Sequence, residues 1–145
     1  MELLANILTI MTNTSLTEQF YKAVLDRLVS FGYEPKNDDC WSICFVMQKI
    51  ENHIRNTCNT PTVPDGLFNV AVDMVCGEFF FNQKQTGKLE LTELDLNGAI
   101  AQIHEGDITV QFANGMSDEE RFNALINHLL HGGDGELICY RRMVW

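Results

Sequence analysis

Between Leu67 and Phe81 the chain carries only three conventional polar side chains, Asn69, Asp73 and Glu78. A helix that is apolar on nearly every side belongs at the centre of a bundle, with other helices around it. That stretch predicts a mainly α fold in which amphipathic helices wrap one apolar helix. Asn69, Asp73 and Gly77 are spaced four apart and share a narrow stripe, where a neighbouring helix can approach closely or a charge can be paired. The 145-residue length suits a single domain. A chain of that size with 46% hydrophobic residues buries enough surface to fold without staples.

The wrapping helices have readable boundaries. Leu3, Leu4, Ile7, Leu8 and Met11 form a first one-sided stripe. Ser15-Leu16-Thr17-Glu18 reads as a capping box that starts a second helix, with Phe20, Val24, Leu28 and Phe31 on its buried side and Gly32 and Pro35 as its stop. Asp38 or Asp39 is positioned to cap a third, with Ile43, Val46, Met47, Ile50 and Ile54 facing inward and Asn59-Thr60-Pro61 closing it. A last helix starts at the capping box Ser117-Asp118-Glu119-Glu120, buries Phe122, Leu125, Ile126 and Leu129, and ends at Gly132-Gly133. Asp118 and Glu119 also suit the positive end of its dipole.

After Gly87 the period changes. Leu89, Leu91, Leu94 and Leu96 alternate with Lys88, Glu90, Glu93 and Asp95, with Thr92 one residue too many, which predicts a bulged strand. Asn97-Gly98 is a favoured pair for a tight hairpin turn, and Ile108, Val110 and Phe112 alternate again on the return. The expected architecture is a bundle of about five helices (1–86 and 117–131), a β-hairpin excursion (87–115, its strands within about 88–112) and an extended C-terminal tail (134–145).

Charge and cysteines narrow the chemistry. Twenty acidic against ten basic residues give a net charge of −10, which repels phosphate backbones. From Leu89 through Glu120 there are eight acids and no Lys or Arg. Three of them cap the last helix; Glu90, Glu93, Asp95, Glu105 and Asp107 concentrate negative charge on the predicted hairpin, either as a solubilising edge or as a wall facing something that gains from repulsion. Cys40, Cys44, Cys58, Cys76 and Cys139 have no framework spacing and read as free thiols in a reducing compartment. The N-terminal stretch shows no charged leader and no span long enough for a bilayer, so the expectation is a soluble protein of the cytosol.

No catalytic pattern emerges. His128 and His131 lie three apart but lack convergent partners for a metal, His53 and Asp134 being distant in sequence; two histidines in a last turn simply offset the helix dipole. His53 is about 13 Å along the helix from Cys44 at the rise of ~1.5 Å per residue, too far to activate it. There is no phosphate-cradling glycine loop, nucleophile elbow or metalloprotease pattern. Neither an enzyme nor a cofactor is expected. Tyr140, Arg141, Arg142 and Trp145, by contrast, end an acidic chain with residue types enriched at interface hot spots. They suit docking on a partner and pairing within the same subunit equally well.

Three segments together resemble the tailed-bacteriophage head–tail connector (adaptor) proteins. These are Thr62-Val63-Pro64-Asp65-Gly66-Leu67-Phe68 running into Val72-Asp73-Met74-Val75-Cys76-Gly77-Glu78, then Ile103-His104-Glu105-Gly106-Asp107-Ile108-Thr109-Val110-Gln111-Phe112, then Cys139-Tyr140-Arg141-Arg142-Met143-Val144-Trp145. The resemblance covers about residues 38 to 145. It implies a non-catalytic helical-bundle subunit of the virion neck, made in the host cytoplasm and assembled as a homo-oligomeric, dodecameric ring beneath the portal. The ring would extend the DNA channel without binding DNA specifically and would seat a stopper or tail-completion protein, with no membrane involved. It further implies portal or inter-subunit contact through Tyr140, Arg141, Arg142 and Trp145 and through the excursion from Leu89 to Phe112. The acidic excursion agrees with a channel wall, since phosphate contacts would add salt-dependent friction. The alternatives are another neck component, or a small acidic cytosolic regulator that binds a basic partner.

Overall fold

The computed structural model describes residues 2–12, 14–96, 98 and 117–140. Six α-helices are present among them: α1 (Glu2–Ile10), α2 (Glu18–Ser30), α3 (Cys40–Cys58), α4 (Phe68–Gln85), α5 (Asp118–His131) and the short α6 (Asp134–Cys139). The apolar stretch lies within α4, preceded by a 3₁₀ turn over Asp65–Leu67, and α4 packs against α2, α3 and α5 at once. Helix α1 lies across α2 and α3. The mainly α bundle expected from the sequence is therefore the observed fold.

The Asn69–Asp73–Gly77 stripe on α4 serves both expected purposes. Arg27 Nε on α2 donates to Asp73 Oδ1 at 2.9 Å, and the same guanidinium lies 4.6 Å from the Phe31 ring centroid. One turn on, a Cβ placed on Gly77 would come within 2.8 Å of the Leu129 Cβ, so only glycine lets α5 settle this close to α4. Around this contact Phe31, Tyr33, Phe79 and Phe80 meet edge-on or tilted, at centroid separations of 5.5 to 6.1 Å, an arrangement that satisfies ring quadrupoles as well as burying area.

Two helix starts differ from expectation. Thr17 rather than Ser15 caps α2, its Oγ1 accepting from the Phe20 amide. Asp39 does not cap α3 with its side chain; its Oδ2 accepts from the Tyr33 hydroxyl at 2.6 Å and from the Lys36 amide at 2.9 Å, closing the α2–α3 connection. Burial, with Asp39 adding to the effect, raises the Tyr33 phenol above its ordinary range. The α5 start is as expected, with Ser117 Oγ accepting from the Glu120 amide.

The predicted β-hairpin is not supported. No strand occurs among the described residues, and the segment expected as its first strand contains a 3₁₀ turn over Leu91–Glu93. Leu89, Leu94 and Leu96 are buried in the shared core, and the Asp95 amide donates to the Phe31 carbonyl at 3.0 Å, beside Gly32 at φ +92°. Leucines that alternate can thus satisfy a core as anchors of a strap laid over helices as well as by pairing with a second strand. Gly98 is helical, whereas the primed turn expected at Asn97-Gly98 needs positive φ there; Asn97 itself lies outside the described residues. The return arm lies outside the described residues. The tail also differs: residues 134–139 are helical rather than extended, with Leu137 buried and its carbonyl accepting from Cys58 Sγ at 3.4 Å.

Candidate functional site

Helix α3 presents two unlike faces. Inward, Ile43, Cys44, Val46, Met47, Ile50, Ile54 and Cys58 are buried together with one carboxylate, Glu51. That carboxylate is held from the α1–α2 connection: Thr14 Oγ1 donates to Oε1 at 2.8 Å, and the Ser15 hydroxyl and amide donate to Oε2 at 2.6 and 2.9 Å. Burial acts to raise the Glu51 carboxyl, but the Ser15 and Thr14 hydrogen bonds, aided by Arg55, outweigh it and leave it below its ordinary value. Ser15 is displaced from capping because a buried carboxylate needs donors more than an exposed helix end does.

Outward, α3 carries Trp41 and Phe45, 72% and 64% exposed. Each offers a large apolar area to solvent, and they stand one turn apart. The neighbouring α4 runs antiparallel: Gln83 Nε2 lies 3.4 Å from Asp39 Oδ1 at one end, and Lys49 Nζ contacts Glu78 Oε1 at 2.6 Å further along. Phe81, one turn beyond Glu78 and 42% exposed, therefore extends the aromatic surface across from Phe45. Beyond the Lys49–Glu78 pair the same side opens into a groove of about 550 Å³ between α3, α4, α5 and α6. Its lining includes Ile50, His53, Thr57, Met74, Leu130 and Ile138, the last 69% exposed.

His131 and Asp134 also border this groove, their Nδ1 and Oδ2 atoms 3.1 Å apart. The fold brings His53, His131 and Asp134 to one groove despite their separation in sequence, yet no group of three or more His, Cys, Asp or Glu side chains among the described residues is placed to hold a metal ion. Cys40, Cys44, Cys58 and Cys76 are free and buried, and Cys139 is free and exposed. Burial raises the Cys44 thiol to about 12, with Cys40 adding to the effect, and raises Cys58 and Cys76 as well; thiols held protonated in this way are poor nucleophiles. No helix among the described residues is long and apolar enough to cross a membrane.

The residues singled out from sequence fall in different places. Glu90 and Glu93 are exposed around the 3₁₀ turn. Asp95 is exposed too, but its Oδ1 accepts from the Gly98 amide at 3.1 Å, so it stabilises its own segment. Glu105, Asp107, Arg141, Arg142 and Trp145 lie outside the described residues. Tyr140 is 42% exposed and lies over Gly66, where its hydroxyl occupies the space a Cβ would need. It therefore docks on its own chain, at the turn that starts α4, while keeping one side open. The aromatic face of α3 was missed; the available signal was that Trp41 and Phe45, four apart, lie off the Ile43–Val46–Met47–Ile50–Ile54 stripe.

No protein-family model, curated protein or solved structure matches this chain.

Proposed function

We propose that this protein is a structural assembly subunit of the tailed-phage head–tail connector type. It joins a homo-oligomeric ring below the portal, lines the DNA path and seats a stopper or tail-completion protein. The observation that carries the reading is the exposed apolar surface: Trp41, Phe45 and Ile138 stand open on a helical bundle that buries other large aromatic side chains, Phe31, Phe79, Phe80 and Phe122 among them, almost completely. Surface of that kind marks contact with other macromolecules rather than chemistry. The order of the three sequence segments supplies the particular assembly, and a net charge of −10 suits a wall past which DNA must slide.

In this reading Arg141 and Arg142, with Tyr140 and Trp145, engage acids on a neighbour or on the portal, and Glu90, Glu93, Asp95, Glu105 and Asp107 face the channel. The test is electron microscopy of the protein mixed with the portal encoded by the same genome. Rings seated on the portal are expected, and the double substitution Arg141→Glu/Arg142→Glu should abolish them. A protein absent from purified virions, or rings unaffected by the double reversal, would refute the respective parts of the proposal.

A further inference from the structure

We infer that the outer face of α3 is the contact surface of a two-fold dimer formed by the free protein, with a second copy of this chain as its occupant. Residues 41, 45, 49, 53 and 57 form one i, i+4 row along α3. Trp41 and Phe45 make that row a ridge at one end; at the other, His53 and Thr57 border the groove that continues over Met74 and Leu130 to Ile138. Lys49 sits between the two halves. A two-fold axis through Lys49 therefore places Phe45 of each copy against the groove of the other near His53, and Trp41 further out toward Thr57. Helices whose i, i+4 rows interdigitate cross at an interaxial angle of about −50°, the commonest way helices pack. A surface that carries both a ridge and a groove, symmetrically disposed about one residue, meets the requirement of an isologous contact, in which each residue's partner is repeated by symmetry.

Charge selects a second copy at this face over the rest of the surface. Two molecules of net charge −10 repel one another over most approaches. At the centre of this face the charged groups are Lys49 and Glu78, already joined at 2.6 Å, and at the rim Asp134 stands beside His131. The two Lys49–Glu78 pairs meet about the axis as neutralised pairs, so two acidic copies repel one another less there than over the rest of their surface. Trp41, Phe45 and Phe81 bring on the order of 300 Å² of exposed ring surface per copy, a substantial part of the ~800 Å² per partner that a stable interface uses; the groove walls add more. Because a two-fold contact closes on itself, it leaves a ring to other surfaces, and the inference stands apart from the connector proposal.

Sedimentation velocity on the full chain tests it without a portal. The expected species has twice the 16.5 kDa monomer mass, and Phe45→Glu should convert it to monomer with an unchanged circular-dichroism spectrum, since residue 45 is on the surface. In a Cys139→Ser background, Lys49→Cys should form a disulfide across the axis under mild oxidation, whereas Asn123→Cys on the exposed side of α5 should not. A wild-type monomer at every soluble concentration, a dimer that survives Phe45→Glu, or cross-linking at 123 but not at 49 would overturn the inference. These outcomes leave the portal-binding experiment unaffected, so the two readings fail separately.

Discussion

Helices α3 and α4 are similar in length and run side by side, yet they use their apolar residues in opposite ways. On α4 the apolar residues face in several directions because three helices surround it, and Gly77 is the place where the packing becomes too tight for any side chain. On α3 one stripe is enough to face the core, and the aromatic residues on the other side are surplus to folding. Apolar character alone therefore does not distinguish a core residue from a contact residue; whether neighbouring elements cover its side of the helix does. A large side chain on a helix already covered along its inner stripe is a candidate for intermolecular use.

Substitutions should separate the two cases by size of effect. Phe79→Ala on α4, at a position with almost no exposure, should cost about 3–5 kcal/mol in urea unfolding, because the ring and its neighbours Tyr33 and Phe80 leave a cavity. A smaller loss on α4 would mean that the aromatic cluster collapses around the gap. Gly77→Val should cost about 2–3 kcal/mol, since the added carbons collide with the Leu129 backbone-proximal Cβ rather than with a movable side-chain end. Recovery of part of that loss by Leu129→Ala would tie the effect to the α4–α5 contact.

The inner face of α3 offers an intermediate effect that depends on pH. Glu51→Gln should cost about 2 kcal/mol at neutral pH by weakening charge-assisted hydrogen bonds from Thr14 and Ser15. The folded protein holds the Glu51 carboxyl below its ordinary value of 4.5, so its contribution is fully present above that pH and is lost as pH falls through the lower folded value. Unfolding curves of wild type and variant should thus converge in acid; a constant gap across pH would show that shape, not charge, holds the α1–α2 connection. The smallest effect belongs to the outer face. Trp41→Gln and Phe45→Gln should change the stability of dilute protein by no more than about 0.5 kcal/mol. A core-sized loss at either position would erase the distinction between the two helices.

Much of the bundle was legible because its signals are local. The stripes on α2, α3 and α5, the glycine stop after α2 and the serine cap of α5 each require only neighbours within a few residues, and each matches the fold. The Asn69–Asp73–Gly77 stripe was legible for a related reason: on a nearly all-apolar helix, a small or charged residue has to be explained by a close approach or a partner. What failed depended on distant residues. Ser15 looked like a cap until Glu51, far along the chain, claimed its donors. The leucines from 89 to 96 carry a period that a strand and a strap over helices share, and only a pairing partner tells them apart. Asp134–Cys139 is too short for periodicity to register, so its helical turn had no visible signature. Of the candidate site, the tail residue Tyr140 suits a partner or its own subunit equally on sequence, and only the fold shows that the Gly66 turn of its own chain holds it. The α3 aromatics lie off the stripe that builds the core, and a periodicity that marks the core is silent on residues outside it.

The distribution of sulfur has a practical consequence. Four thiols sealed in the interior and a fifth at the surface make the protein its own clock for local opening. A thiol reagent applied to the native state should modify Cys139 at once, and each later addition should time the exposure of a particular helix, with Cys76 between α2 and α4 expected last.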